Sequence, residues 1–87
     1  MKITKRIQNI VERANNARFN QAIYFLESQD KTISEQKRRA CESFNDIYSG
    51  RWTAYVESLM MLGVDIDKDV KLDSWGESLQ MAKLHLK

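Results

Sequence analysis

The stretch Phe44–Leu62, FNDIYSGRWTAYVESLMML, decides the reading of this chain. Phe44, Ile47, Tyr48, Trp52, Tyr55, Leu59 and Leu62 recur along it at helical steps. That spacing places them on one side of a helix, and no proline interrupts it. A seam this rich in aromatic side chains needs a partner surface, within the chain or on a second copy.

Working outward, the seam predicts a helix over about 33–62, carrying Ile33, Ala40, Phe44, Ile47 and Tyr48 toward the core. Ser49-Gly50 ends this helix, kinks it or is absorbed into it. Gly50 costs ~1 kcal/mol against alanine in a helix interior. The seam keeps its phase across Gly50, which favours continuity, although an unbroken helix sets Arg51 inside the apolar arc. Upstream, Thr32-x-x-Glu35 matches a capping box and marks the helix start. Ser28-Gln29-Asp30-Lys31 is the turn before it. A first helix is expected over about 4–28, with Ile3, Ile7, Ile10, Ala14 and Ala17, then Ala22 and Phe25, on one face. Ala14 and Ala17 would let another helix approach closely.

Downstream, Gly63 reads as a left-handed helix stop, with Val64 placed for the accompanying hydrophobic contact. In 64–73 the apolar residues Val64, Ile66, Val70 and Leu72 alternate with charge. The segment reads as a long connection with its apolar residues tucked inward. Ser74-x-x-Glu77 is a second capping box. It opens a last helix over about 75–86, with Trp75, Leu79, Ala82 and Leu86 on one side. The expected fold is therefore all-α: a compact bundle of three to four helices in one domain over 1–87, forming a dimer. A chain of 87 residues buries only about 64% of its unfolded surface, so a second copy would help it.

Net charge is +2, too small to argue for nucleic acid by itself. The distribution is uneven. Residues 1–51 hold ten Lys/Arg against six acids, and 52–87 hold four against six. Cys41 is the only cysteine, so no internal disulfide forms. It falls on the seam and reads as a small buried apolar residue. A reducing, cytoplasmic setting is expected. The opening MKITKRIQNIVERANN has no continuous apolar run and does not read as a signal peptide. No segment reaches the ~20 apolar residues needed to span a bilayer.

Four features could carry chemistry. Asp65, Asp67, Asp69 and Asp73 resemble a calcium loop in spacing, but Val70 stands where that loop needs glycine and Gly76 where it needs a bidentate glutamate. The bland reading, a solvated acidic loop at the start of the last helix, is expected instead. Lys37, Arg38 and Arg39 with Arg51 form the candidate nucleic-acid contact, yet consecutive charges spread around a helix. Tyr48, Arg51, Trp52 and Tyr55 form the candidate protein-partner contact, since Tyr, Trp and Arg dominate interface hot spots. His85 is the only histidine, has no second ligand at fixed spacing and reads as a bystander.

No metal or cofactor site, no small-molecule substrate and no catalytic constellation are expected. The functional expectation is a small non-enzymatic regulator that binds a larger protein, of adaptor or inhibitor type, as phages and mobile elements commonly encode. The alternative is a dimeric nucleic-acid-binding regulator that uses the basic N-terminal half.

Overall fold

Three hydroxyls set the three helix starts. Thr4 Oγ1 accepts from the Ile7 N–H at 3.2 Å and opens α1, Lys5–Ser28. Ser34 Oγ accepts from the Lys37 N–H at 3.1 Å and opens α2, Glu35–Met61. Ser74 Oγ accepts from the Glu77 N–H at 3.1 Å, and Glu77 Oε1 accepts from the Ser74 N–H at 3.2 Å. This reciprocal pair is the capping box expected at Ser74, and it opens α3, Trp75–His85. The computed structural model describes residues 1–87 and contains no strand.

The expected cap at Thr32 does not form. Both the Thr32 N–H and its hydroxyl donate to Asp30 Oδ1, at 2.8 and 2.7 Å. That closes a local turn around the aspartate side chain. The hydroxyl is thereby directed back into the turn, and the helix starts two residues later on Ser34.

α2 runs unbroken through Gly50, so the bundle has three helices and no fourth. It ends as the sequence predicts. Gly63 takes φ of 81°, the left-handed region that suits glycine. Its N–H reaches Met60 O at 3.0 Å, and the Val64 N–H reaches Leu59 O at 3.0 Å. These are the paired bonds of a Schellman stop, and Val64 packs in one cluster with Leu59.

α1 is the central element. α2 lies antiparallel along it, as Glu27 beside Cys41, Arg18 over Trp52 and Ile7 with Leu59 show. α3 packs on a second side of α1 and does not reach α2. Ala14, Ala17 and Ala22 on α1 are buried, as are Ser78 and Ala82 on α3. Side chains this small let the helix axes come close.

The main apolar core is at one end. Ile7, Val11, Leu59 and Val64 form it, with Ile10, Ile66, Val70 and Leu72 packed against them. The 64–73 connection therefore does turn its apolar residues inward. Asn15 ties it down. Its Nδ2 donates to Lys71 O at 3.2 Å, and its Oδ1 accepts from the Asp73 N–H at 2.8 Å.

The seam is less covered than its spacing suggests. Leu59 is fully buried, and Cys41 and Val56 are buried. Phe44, Ile47 and Leu62 remain 45%, 46% and 40% exposed. A single neighbouring helix covers only a narrow strip of α2, so residues at the edges of the arc stay in solvent. For the same reason the bundle is elongated, at 48 × 22 × 18 Å. Its radius of gyration is 14.6 Å, against about 12 Å for a compact chain of this length. Ile3 and Leu86, expected on apolar faces, are also exposed. No helix is long and apolar enough to cross a membrane.

Candidate functional site

The side of α1 that borders one edge of α2 carries a line of polar residues. Arg6, Asn9, Arg13, Asn16, Asn20 and Tyr24 follow one another at steps of three and four, which aligns them along the helix. The adjoining edge of α2 presents Phe44, Tyr48, Arg51 and Tyr55. The two edges meet in a stack. The Tyr24 ring stacks on Phe44, at 4.9 Å and 24°, and on Tyr48, at 5.8 Å and 11°. The Arg51 guanidinium covers Tyr48 at 5.1 Å, a cation–π contact.

Beside the stack, Arg13, Asn16 and Ala17 from α1 and Tyr48, Arg51 and Tyr55 from α2 line a small groove of about 80 Å³. Arg13 also borders a shallower depression with Lys5, Arg6, Asn9 and Ile10. The ion pairs of the molecule join the Met1 amine to Asp69, Arg38 and Arg39 to Glu35, and Lys71 to Glu77. None involves Lys5, Arg6, Arg13 or Arg51. The face therefore combines unpaired cations, neutral amides and half-exposed aromatic rings.

Three of the four residues expected to contact a partner, Tyr48, Arg51 and Tyr55, are brought together in this groove. Trp52 is not. It turns to the other side of α2, where the Arg18 guanidinium sits 3.6 Å from its ring centroid. The same guanidinium lies 5.6 Å from Trp75 of α3, and Trp75 meets Phe25 edge-on at 5.6 Å. Arg18 Nη1 donates to Gln21 Oε1 at 2.9 Å. Burial lowers the pKa of Arg18. Arg18 Nε and the Trp52 indole N–H are buried without acceptors. The ring faces supply the attraction here, and Arg18 of α1 lies near one tryptophan of α2 and one of α3.

The basic cluster divides its members among local tasks. Arg38 Nε donates to Ser28 O at 3.3 Å and Nη2 to Asp30 O at 3.2 Å. It thereby satisfies carbonyls at the C-terminal end of α1 and neutralises the negative pole there. Arg38 and Arg39 also meet Glu35 at 3.7 and 3.4 Å. Lys37 is exposed. Arg51 lies about 18 Å further along α2 than Arg39, at 1.5 Å per residue. So Lys37, Arg38, Arg39 and Arg51 do not form one patch.

The acidic run satisfies its own backbone. Asp69 Oδ2 accepts from the Asp65 N–H at 2.8 Å, and Asp65 Oδ1 accepts from the Asp67 N–H at 3.0 Å. No three Asp, Glu, His or Cys side chains of the chain converge as a metal-binding group. His85 packs edge-on against Phe19 at 5.6 Å. Cys41 is buried, with Sγ 3.7 Å from Glu27 Oε2. Burial, and then the Glu27 carboxylate, push its thiol pKa up. A thiol held protonated in this way is a poor nucleophile.

The α1 half of the groove was missed from sequence. Its signal was present, as the steps of Arg6, Asn9, Arg13, Asn16, Asn20 and Tyr24 are helical. These residues are polar, so they leave no mark on the apolar periodicity. Comparisons with protein-family models, with curated proteins and with solved structures find no match to this chain.

Proposed function

We propose that this chain is a non-enzymatic binding module of adaptor or inhibitor type, and that it docks a larger protein on the α1–α2 face. The observation that carries this reading is the line of half-exposed Phe44 and Ile47 continuing into the Tyr24–Tyr48 stack and Arg51. Aromatic and arginine side chains around an accessible apolar centre are the composition of interface hot spots.

The total surface supports the same reading. The folded chain exposes 6055 Å². The size scaling gives about 5,300 Å² for a protein of its mass. The excess of roughly 700 Å² is close to the ~800 Å² that each partner contributes to a standard interface.

The test is a variant with Phe44 and Ile47 both changed to Asp. It should keep its helical circular dichroism and lose the host protein that the wild-type chain retains. Retention unchanged by this variant rejects the reading. Equilibrium sedimentation across micromolar concentrations separates the partners: a constant single-chain mass rejects the dimer.

A nucleic-acid reading has one observation in its favour, the unpaired Lys5, Arg6, Arg13 and Arg51. It predicts a steep fall of DNA or RNA affinity with salt.

A further inference from the structure

We infer that the α1–α2 groove takes an acidic amphipathic helix of the partner, with its carboxylates against Arg6, Arg13 and Arg51 and its apolar side chains against Phe44 and Ile47. The inference rests on the protein-binding reading above and specifies the chemistry of the docked segment.

Charge complementarity is the first argument. Arg13 and Arg51 stand on opposite walls of one groove. Arg6 follows Arg13 along α1 in the adjoining depression. None of the three is ion-paired within the chain. Two carboxylates border the face: Glu12 lies with Asn9, Arg13 and Asn16 on its outer side, and Glu27 follows Tyr24 by three residues, 3.7 Å from Cys41 Sγ. Three unpaired guanidinium groups outnumber them. Guanidinium is the cation that binds carboxylate in a planar two-point geometry.

Shape is the second argument. Two antiparallel helices leave a trough along their contact, and a third helix can lie in it. From Arg6 to Tyr24 the trough runs about 27 Å, which matches a partner helix of about 18 residues. Its two ends differ. Arg6 and Arg13 line the end near the start of α1. Phe44, 45% exposed and stacked on Tyr24, lines the other, and the exposed Ile47 stands beyond it on the outer side of α2. An occupant must therefore carry both acidic and apolar side chains.

The aromatic geometry favours a peptide over a nucleic acid. Non-specific single-strand binding needs free ring faces on which bases stack. One face of Tyr48 is taken by Tyr24 and the ring is also covered by Arg51. Tyr24 stacks on both Phe44 and Tyr48. A second copy presenting the same face would bring arginine against arginine.

The experiment uses a fluorescent helix-forming peptide of about 18 residues, with leucines on one face and glutamates flanking them. Its glutamine counterpart and a short mixed-sequence DNA duplex serve as comparisons. The full chain should bind the glutamate peptide at least about tenfold more tightly than the glutamine one. Arg13→Glu with Arg51→Glu should weaken that binding by about tenfold or more, with circular dichroism unchanged. Phe44→Ala with Ile47→Ala should weaken it as well. Affinity unmoved by the charge reversals, tighter binding of the duplex, or no peptide binding near millimolar concentration each overturns the inference. A charge-reversed chain that still retains its host protein, while the Phe44/Ile47 variant loses it, removes the acidic helix and leaves the protein-binding reading standing.

Discussion

The two ends of the α1–α2 pair are built on the same helical period and come out differently. At one end Ile7, Val11, Leu59 and Val64 are sealed, each at most 6% exposed. At the other, Tyr24, Phe44 and Tyr48 stack in a row that solvent reaches from one side. The difference is a third layer. The 62–74 connection folds over the first end, held by the Schellman stop at Gly63 and by Asn15. No such layer lies over the second. An apolar arc on a helix thus specifies what could be buried, and the presence of a further element decides what is buried.

The largest expected effect breaks the sealed end. Leu59→Ala removes a fully buried side chain from the cluster and should cost about 2–5 kcal/mol in urea unfolding. Next comes the anchor of the covering layer. Asn15→Ala removes two hydrogen bonds to the 71–73 backbone and should cost about 1–3 kcal/mol, with faster amide exchange at Asp73 as the local readout.

Glycine substitutions should move stability in opposite directions. Gly63→Ala forces a side chain into positive φ and should destabilise by about 1–2 kcal/mol. Gly50→Ala places a methyl where nothing lies within 4 Å and should stabilise by about 1 kcal/mol. A loss at Gly50 in the purified chain would mean that a partner copy already covers that position.

Acid should act on the connections at both ends. Glu77 is held below the usual carboxylate range chiefly by the Ser74 N–H, and then by Lys71. Asp30 is held low chiefly by the Thr32 hydroxyl, and then by the Thr32 N–H. A carboxyl with a lower pKa folded than unfolded stabilises the fold above its unfolded pKa. That contribution is lost as pH falls through the folded value. Thermal midpoints should therefore drop below the ordinary carboxylate range, and Glu77→Gln should flatten the profile. The smallest effect is expected at the open end. Phe44→Ala with Ile47→Ala should leave unfolding within about 1 kcal/mol of wild type, because both side chains are already half in water. A larger loss would show that this face is covered in solution.

Much of the backbone plan was legible. The start of α1, the stop at Gly63, the box at Ser74 and Glu77 and the inward turn of Val64, Ile66, Val70 and Leu72 all follow from local chemistry. Thr32 misled because Asp30, two residues earlier, offered its hydroxyl a competing acceptor. Trp52 shares the helical spacing of Tyr48 and Tyr55. Arg18 on another helix draws it away, and a cation–π pair between elements leaves no periodic trace. Half of the candidate groove, Arg13 and Asn16, lies on α1 and becomes a site only where α2 brings Arg51 and Tyr55 beside it.

The sequence by itself determined an all-helical chain of three to four helices, about where two of them start, where the middle one stops and which side chains could leave water. Those properties depend on neighbours within a few residues, through hydroxyl caps, a glycine with positive φ and side-chain periodicity. The tertiary structure alone decided which part of the seam is closed, which tryptophan pairs with Arg18 and which arginines stay unpaired. Those outcomes depend on what packs across from each residue, and residues that far apart in the chain meet only once it has folded.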